Sequence, residues 1–193
     1  MQKRGTQPIN PSQRGTMIRC VFFDRDGIVN QYPGPGAYVE RWEEFHLLSE
    51  FVEVLRTVGQ KGFAAVVVTN QRGVALGRMT TATLEDLHGR LAELLQKQHG
   101  LALLDILYCP HDEGVCDCRK PHPGMLLAAA RRHGIDLRRS WMIGDSEKDI
   151  EAGRHAGCRT ILVSAPDAPT RADVRVRDMA ELRTVIANLL DRG

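Results

Sequence analysis

Short apolar runs alternate with longer segments of helical period along this chain, and that alternation constrains its fold more than any other feature. Residues 18–23, 63–68, 105–109, 140–144 and 160–163 read as buried strands. Between and after them lie amphipathic stretches. Ser49 can cap a helix to about Gln60, with Phe51, Val52, Leu55 and Val58 on one face. A second helix starts at Thr80 or Thr81 and carries Leu84, Leu87, Leu91, Leu94 and Leu95 at helical spacing. Pro123, Ser146 and Asp178 open three more, and Gly134 and Gly157 close the first two of these. Such alternation builds an α/β fold: a Rossmann-like, doubly wound, mostly parallel sheet with helices on both faces. In sheets of this kind ligands bind just beyond the carboxyl ends of the strands.

A length of 193 residues suits one domain, placed at residues 17–193. Residues 1–16 are polar and rich in Gly, Pro and Gln, and read as a loosely attached or disordered tail. The run Tyr32-Pro33-Gly34-Pro35-Gly36 excludes helix and central strand, so residues 31–45 form a loop over the end of the first strand. No apolar run is long enough to span a membrane, and the chain starts without the apolar stretch of a secretory signal. A net charge of +2 argues against an extended nucleic-acid-binding face. Five cysteines, three of them in one loop, do not fit a secreted disulfide scaffold. The expectation is a cytoplasmic monomer with no nucleic-acid or membrane partner. Cys20 and Cys158 read as small core residues.

Chemistry gathers at the strand ends. The first strand runs into Asp24-Arg25-Asp26-Gly27. Two carboxylates at the end of a buried strand are costly unless compensated, and a hard Mg²⁺ ion suits them. The second strand ends in Thr69-Asn70-Gln71, a hydroxyl and two amides able to orient an anion. The fourth ends in Gly144-Asp145, with Asp149 one helical turn further on.

The third strand leads into Cys109-Pro110-His111-Asp112-Glu113-Gly114-Val115-Cys116-Asp117-Cys118-Arg119-Lys120. Cys-x-His followed by Cys-x-Cys across a glycine-containing turn can present four ligands to one Zn²⁺ ion, giving a zinc loop at residues 109–118. Cys109, His111, Cys116 and Cys118 would fill a tetrahedral Cys₃His site, leaving no position for water, so the zinc is structural. The fixed loop then delivers Arg119 and Lys120. Carboxylates for a metal, a nucleophile, hydroxyl and amide donors and a lysine at one sheet edge suit phosphoryl transfer.

Asp24-Arg25-Asp26-Gly27, Thr69-Asn70-Gln71, Lys120 and Gly144-Asp145 with Asp149 resemble, in order, the four motifs of the haloacid dehalogenase superfamily of phosphohydrolases. The zinc loop and Pro121-His122-Pro123-Gly124-Met125 narrow the resemblance to its histidinol-phosphate phosphatase subfamily, which lacks a large cap domain. The resemblance implies that Asp24 is the nucleophile and Asp26 the acid and base. It implies Mg²⁺ held by the Asp24 carboxylate, the Asp26 carbonyl and Asp145, and a phosphoryl group bound by Thr69 and Lys120. Asn70, Gln71 and Arg119 would contact substrate, and Asp149 would orient Lys120 or a metal-bound water; Arg72, a departure from the family, could reach a substrate phosphate or face solvent. The implied substrate is a small phosphorylated sugar, a heptose 1,7-bisphosphate losing its 7-phosphate; the alternative is histidinol phosphate. Residue 28 is Ile where relatives often carry Thr, Arg72 stands where Ser is common, and the His111–Cys116 segment is short.

Two readings from other classes compete. A phospho-accepting signalling module also places an aspartate at a sheet edge, but Asp26 supplies the second carboxylate that hydrolysis needs. A zinc-ribbon nucleic-acid binder requires a basic, aromatic-bearing face, and no such stretch occurs.

Overall fold

The computed structural model describes residues 17–165 and 169–191. The tail expected at residues 1–16 lies outside the described residues. Six parallel strands form one sheet in the order β3-β2-β1-β4-β5-β6. They are β1 (Cys20–Phe23), β2 (Ala64–Asn70), β3 (Asp105–Cys109), β4 (Trp141–Gly144), β5 (Arg159–Val163) and β6 (Val174–Val176). β1 and β4 pair in register, Val21 opposite Trp141 and Phe23 opposite Ile143. The chain reverses its winding between these two strands, so their carboxyl ends flank the crevice where such sheets bind ligands.

Alternating side chains divide the core into two layers. Val21, Phe23, Val67 and Ile143 face one side of the sheet, under α1 (Ser49–Gln60), α2 (Thr81–Leu94) and α5 (Met179–Asp191). Phe22, Val66, Val68 and Met142 face the other, under α3 (Gly124–His133) and α4 (Glu147–Ala156). Both faces are thereby covered, as near-continuous apolar strands require. The longest described connection, residues 24–48, contains one short 3₁₀ turn (Trp42–Glu44), so it folds over the strand ends without forming a cap domain.

Several boundaries differ from the sequence reading. Ser49 is the first helical residue rather than the cap; its hydroxyl donates to Glu50 Oε2 at 3.0 Å. Thr80 does cap α2, accepting from the Thr83 backbone N–H, and Asp178 accepts from the Glu181 N–H at the start of α5. α2 continues through a π-helical turn, Leu95–His99, that leucine spacing does not distinguish from α-helix. β6 is unanticipated, because a three-residue Val-Arg-Val strand within a charged tract shows no pattern of its own.

α4 sits unusually close to the sheet. A Cβ at Gly153 would lie 2.7 Å from Met142 Cβ and 2.8 Å from Thr160 Cγ2. Gly153 thus sets how near α4, and with it Asp149, comes to β4. Gly153→Val should destabilise the protein by about 1–3 kcal/mol through overpacking. A urea titration followed by far-UV circular dichroism will show it as a lower midpoint with an unchanged slope.

Candidate active site

Strand ends place Asp24, Thr69 and Asp145, while the loop after β3 carries Arg119 and Lys120 and α4 carries Asp149. Asp24 follows β1, and its backbone N–H donates to Ile143 O at 2.9 Å, tying the end of β1 to β4. Gly27 turns the chain back with φ +92°, and a Cβ there would overlap the Asp145 carboxylate. A residue without a side chain is therefore what lets the loop after β1 approach the residue after β4.

Lys120 lies at the centre, its side chain 2% exposed. Its Nζ donates to Asp24 Oδ1 at 2.7 Å and to Val68 O at 2.8 Å, and pairs with Asp149 Oδ1 at 2.6 Å. Two ammonium donors thus have hydrogen-bond acceptors, Asp24 after β1 and Val68 O in β2, and Asp149 on α4 adds an ion pair. Asn70 clips the Lys120 backbone from both sides: Lys120 N donates to Asn70 Oδ1, and Asn70 Nδ2 donates to Lys120 O, each at 3.0 Å. Asp149 divides its two oxygens. Oδ1 meets Lys120, while Oδ2 accepts from the Ser146 N–H and hydroxyl and caps α4.

Electrostatics make the cluster uncomfortable without a cation. The carboxylates of Asp24, Asp145 and Asp149 offer oxygens that all lie within 4.8 Å of one another. Burial pushes Asp24 up to about 8, with Asp149 and Asp145 adding to the rise and Lys120 opposing it. Burial and Asp149 push Asp145 up to about 7. Burial disfavours the Lys120 ammonium, but Asp149 and Asp24 outweigh it and hold that pKa above the usual lysine value. Asp24 and Asp145 could hold a divalent ion, which would relieve the repulsion among these carboxylates.

Asp24, Asp26, Thr69, Asn70, Arg119, Lys120 and Asp145 line one open cleft of about 500 Å³. Tyr32 and Tyr38 from the loop after β1 and Lys148 from α4 complete its walls. Two expected substrate contacts are placed otherwise. Gln71 is buried beneath the cleft, its Nε2 donating to Asp26 Oδ2 at 3.0 Å and Thr69 Oγ1 at 2.9 Å. Arg72 turns away to meet Asp112 of the cysteine loop, Nε to Oδ1 at 2.6 Å. It ties the loop after β2 to the loop after β3 instead of reaching toward the cleft. Arg119 does reach the cleft, with Nη1 buried and unpartnered and Nη2 3.5 Å from Glu113.

The cysteine loop converges as its spacing predicts. Cys109, Cys116 and Cys118 Sγ atoms stand 3.2–3.5 Å apart, and His111 Nδ1 lies 3.6 Å from Cys109 Sγ and 3.3 Å from Cys118 Sγ. These separations are far too long for disulfides, and all three cysteines are free. They are close to the edge of about 3.8 Å of a tetrahedron built on a Zn–S bond of about 2.3 Å. The residues fit a structural zinc ion.

A buried layer under Asp26 escapes the sequence reading. Arg25, Asn30 and His88 are all buried and form a hydrogen-bonded set with Asp26. A weak signal existed: Arg25 sits between two motif aspartates, and His88 follows Leu84 by four on the apolar stripe of α2.

Comparison with known proteins agrees with this geometry. The HAD-hydrolase-like family model matches residues 117–191. The D-glycero-beta-D-manno-heptose-1,7-bisphosphate 7-phosphatase of Pseudomonas aeruginosa is 41% identical over 145 residues, covering 74% of this chain and 79% of that protein. The enzyme of the same name from Escherichia coli K12 is 37% identical over 183 residues, covering 88% and 94%. The crystal structure of D,D-heptose 1,7-bisphosphate phosphatase from B. bronchiseptica, complexed with magnesium and phosphate, superposes with a TM-score of 0.78 at 32% identity, covering 91% of this chain and 100% of that one. Parallel sheet, strand-end carboxylates, buried lysine and relatives together place this chain in the haloacid dehalogenase family of phosphohydrolases.

Proposed function

We propose that this protein is a Mg²⁺-dependent phosphomonoesterase that removes the 7-phosphate of a heptose 1,7-bisphosphate through an aspartyl-phosphate on Asp24. The observation that carries the reading is the buried Lys120 ammonium, held on Asp24 at the crevice between β1 and β4 with Asp26 lining the same cleft. The substrate rests on the relatives, which bear that activity in their names at 35–41% identity.

Lys120 fixes Asp24 through Oδ1, leaving Oδ2 to attack phosphorus. As the Asp24–phosphorus bond forms, the phosphorus–sugar oxygen bond breaks and Asp26 gives its proton to the leaving alkoxide. Asp26, now a carboxylate, takes a proton from water, whose oxygen attacks phosphorus and releases inorganic phosphate from Asp24. Thr69 and Lys120 bind the transferring phosphoryl group, and Arg119, which lines the cleft and has an Nη1 without a hydrogen-bond partner, takes the substrate's distal phosphate. Asp24, Asp145 and the Asp26 carbonyl would hold Mg²⁺, which supplies positive charge against the phosphoryl oxygens. Asn70 serves by clipping Lys120. Gln71 serves by bracing Asp26 and Thr69, and Arg72 by tethering the zinc loop. Zn²⁺ on Cys109, His111, Cys116 and Cys118 fixes the loop that carries Arg119 and Lys120.

The enzyme works as a cytoplasmic monomer on a phosphorylated sugar, without nucleic acid or membrane. Clustered free thiols support a reducing compartment. Among the described residues, no helix is long and apolar enough to cross a membrane.

Phosphate release from heptose 1,7-bisphosphate, assayed beside histidinol phosphate, tests the reading. Turnover should favour the heptose, Asp24→Asn should abolish it, and Asp26→Asn should lower kcat by about 10²–10⁴-fold. Faster cleavage of histidinol phosphate would reject the substrate assignment, and turnover by Asp24→Asn would reject the nucleophile.

The raised pKa values of Asp24 and Asp145 predict a pH-dependent response to metal. Both lie above the ordinary carboxylate value in the folded state, so ionising them costs folded-state stability as pH rises from about 4 to about 8. Mg²⁺ binds the ionised pair, so the rise in Tm on adding Mg²⁺ should be larger at pH 8 than at pH 5.5. Differential scanning fluorimetry at the two pH values checks the sign.

Zinc makes a separate prediction. Stripping zinc with a tight chelator, verified by elemental analysis, should lower Tm by about 5–10 °C. An unchanged Tm in zinc-free protein would remove the structural role.

A further inference from the structure

Beneath Asp26 lies a buried charged layer with no part in binding metal or substrate. Arg25 is fully buried, and its guanidinium grips Asp26 fork-on: Nη2 donates to Oδ1 and Oδ2, each at 2.9 Å, and Nε to Oδ1 at 3.2 Å. Asn30 Nδ2 donates to Oδ1 at 2.9 Å and Gln71 Nε2 to Oδ2 at 3.0 Å. Three nitrogens therefore meet Oδ1 and two meet Oδ2, so Oδ2 is the less committed oxygen. Gln71 Oε1, by contrast, is buried without a partner.

On its far side Arg25 meets α2. Its Nη1 lies 3.3 Å from His88 Nε2, and His88 is buried. A guanidinium has donors and no acceptor, so Nε2 must supply the lone pair and the ring proton must sit on Nδ1. The imidazole has to be neutral for this contact. Burial, and then the neighbouring Arg25 charge, pull its pKa down to about 3. A fully buried arginine adjoining the catalytic carboxylate is thus held at both ends, by Asp26 on one side and by a helix 63 residues away on the other.

We propose that Arg25 and His88 are positioning residues for proton transfer: His88 fixes the rotation of the Arg25 guanidinium, whose fork fixes the plane of the Asp26 carboxylate and leaves Oδ2 to exchange the proton with leaving group and water. Neither residue touches substrate. The chain of contact runs from α2 through Arg25 to the one group that handles protons. A bidentate guanidinium fork holds a carboxylate in orientation as well as in place, which a lysine at the same site could not do.

This inference rests on the proposed hydrolysis through Asp24 and Asp26, and two substrates separate them. A sugar alkoxide needs a proton to leave, whereas p-nitrophenolate leaves without one. In His88→Leu, kcat/KM for heptose 1,7-bisphosphate should fall about tenfold while that for p-nitrophenyl phosphate stays within about twofold. His88→Gln, whose Oε1 can accept from Arg25 Nη1, should restore most of the loss. Where His88→Leu does not fold, Arg25→Lys, which keeps the charge and loses the fork, should show the same split between substrates. Equal losses on both substrates, no loss on either, or no recovery in His88→Gln would overturn the proposal. Turnover by Asp24→Asn would instead overturn the hydrolytic reading itself.

Discussion

One buried ammonium organises this protein's reactive end. Taking Lys120 out of water costs several kcal/mol, and the attraction of two carboxylates offsets that only if the geometry is good. Here it is good: one nitrogen meets Asp24 after β1, Asp149 on α4 and Val68 O in β2. Removing the nitrogen would leave two buried carboxylates facing each other. The end of β1, β2, α4 and the loop after β3 therefore meet at one point of contact beside the crevice between β1 and β4.

Lys120 does not belong to a strand or helix, so its position has to be imposed. Asn70 grips its backbone N–H and C=O together, and the Cys₃His cluster ends two residues before it. Arg72 adds a lateral tether through Asp112. The loop is short, and a closed zinc site converts it from a flexible turn into a rigid bracket. This is an economical way to place a lysine: the metal constrains the loop's conformation, and the amide of Asn70 sets its depth against the sheet.

The strand-end groups are legible in the sequence because a parallel sheet puts every strand's carboxyl end on one edge. Asp24, Thr69 and Asp145 therefore come together whatever the details of packing, and the loop that carries Lys120 starts from the same edge. The zinc ligands are legible for a different reason, since their spacing alone brings the four donors near one point. What is illegible depends on side-chain direction. Gln71 and Arg72 follow a strand that has already ended, so no alternation says which faces the cleft; one is buried under Asp26 and the other reaches sideways to Asp112. His88 carries the same helical phase as the leucines around it, and nothing in that phase distinguishes a packed imidazole from one aimed at a buried guanidinium. β6 is too short for a period to show.

Charge balance explains why the same cluster needs a cation to serve as a phosphatase. When ionised, Asp26 is neutralised by Arg25, and one of the other three carboxylates by Lys120. Asp24, Asp145 and Asp149 against a single ammonium leave that cluster, when ionised, about two charges negative, which would repel a phosphate dianion. The protein can answer by keeping protons on Asp24 and Asp145, as their raised pKa values show, but a protonated Asp24 is a poor nucleophile. A divalent ion held by Asp24 and Asp145 would meet both difficulties, supplying charge that favours the ionised Asp24 and offsets the repulsion of substrate. Arg119 and Lys148 line the same cleft and add positive charge to it.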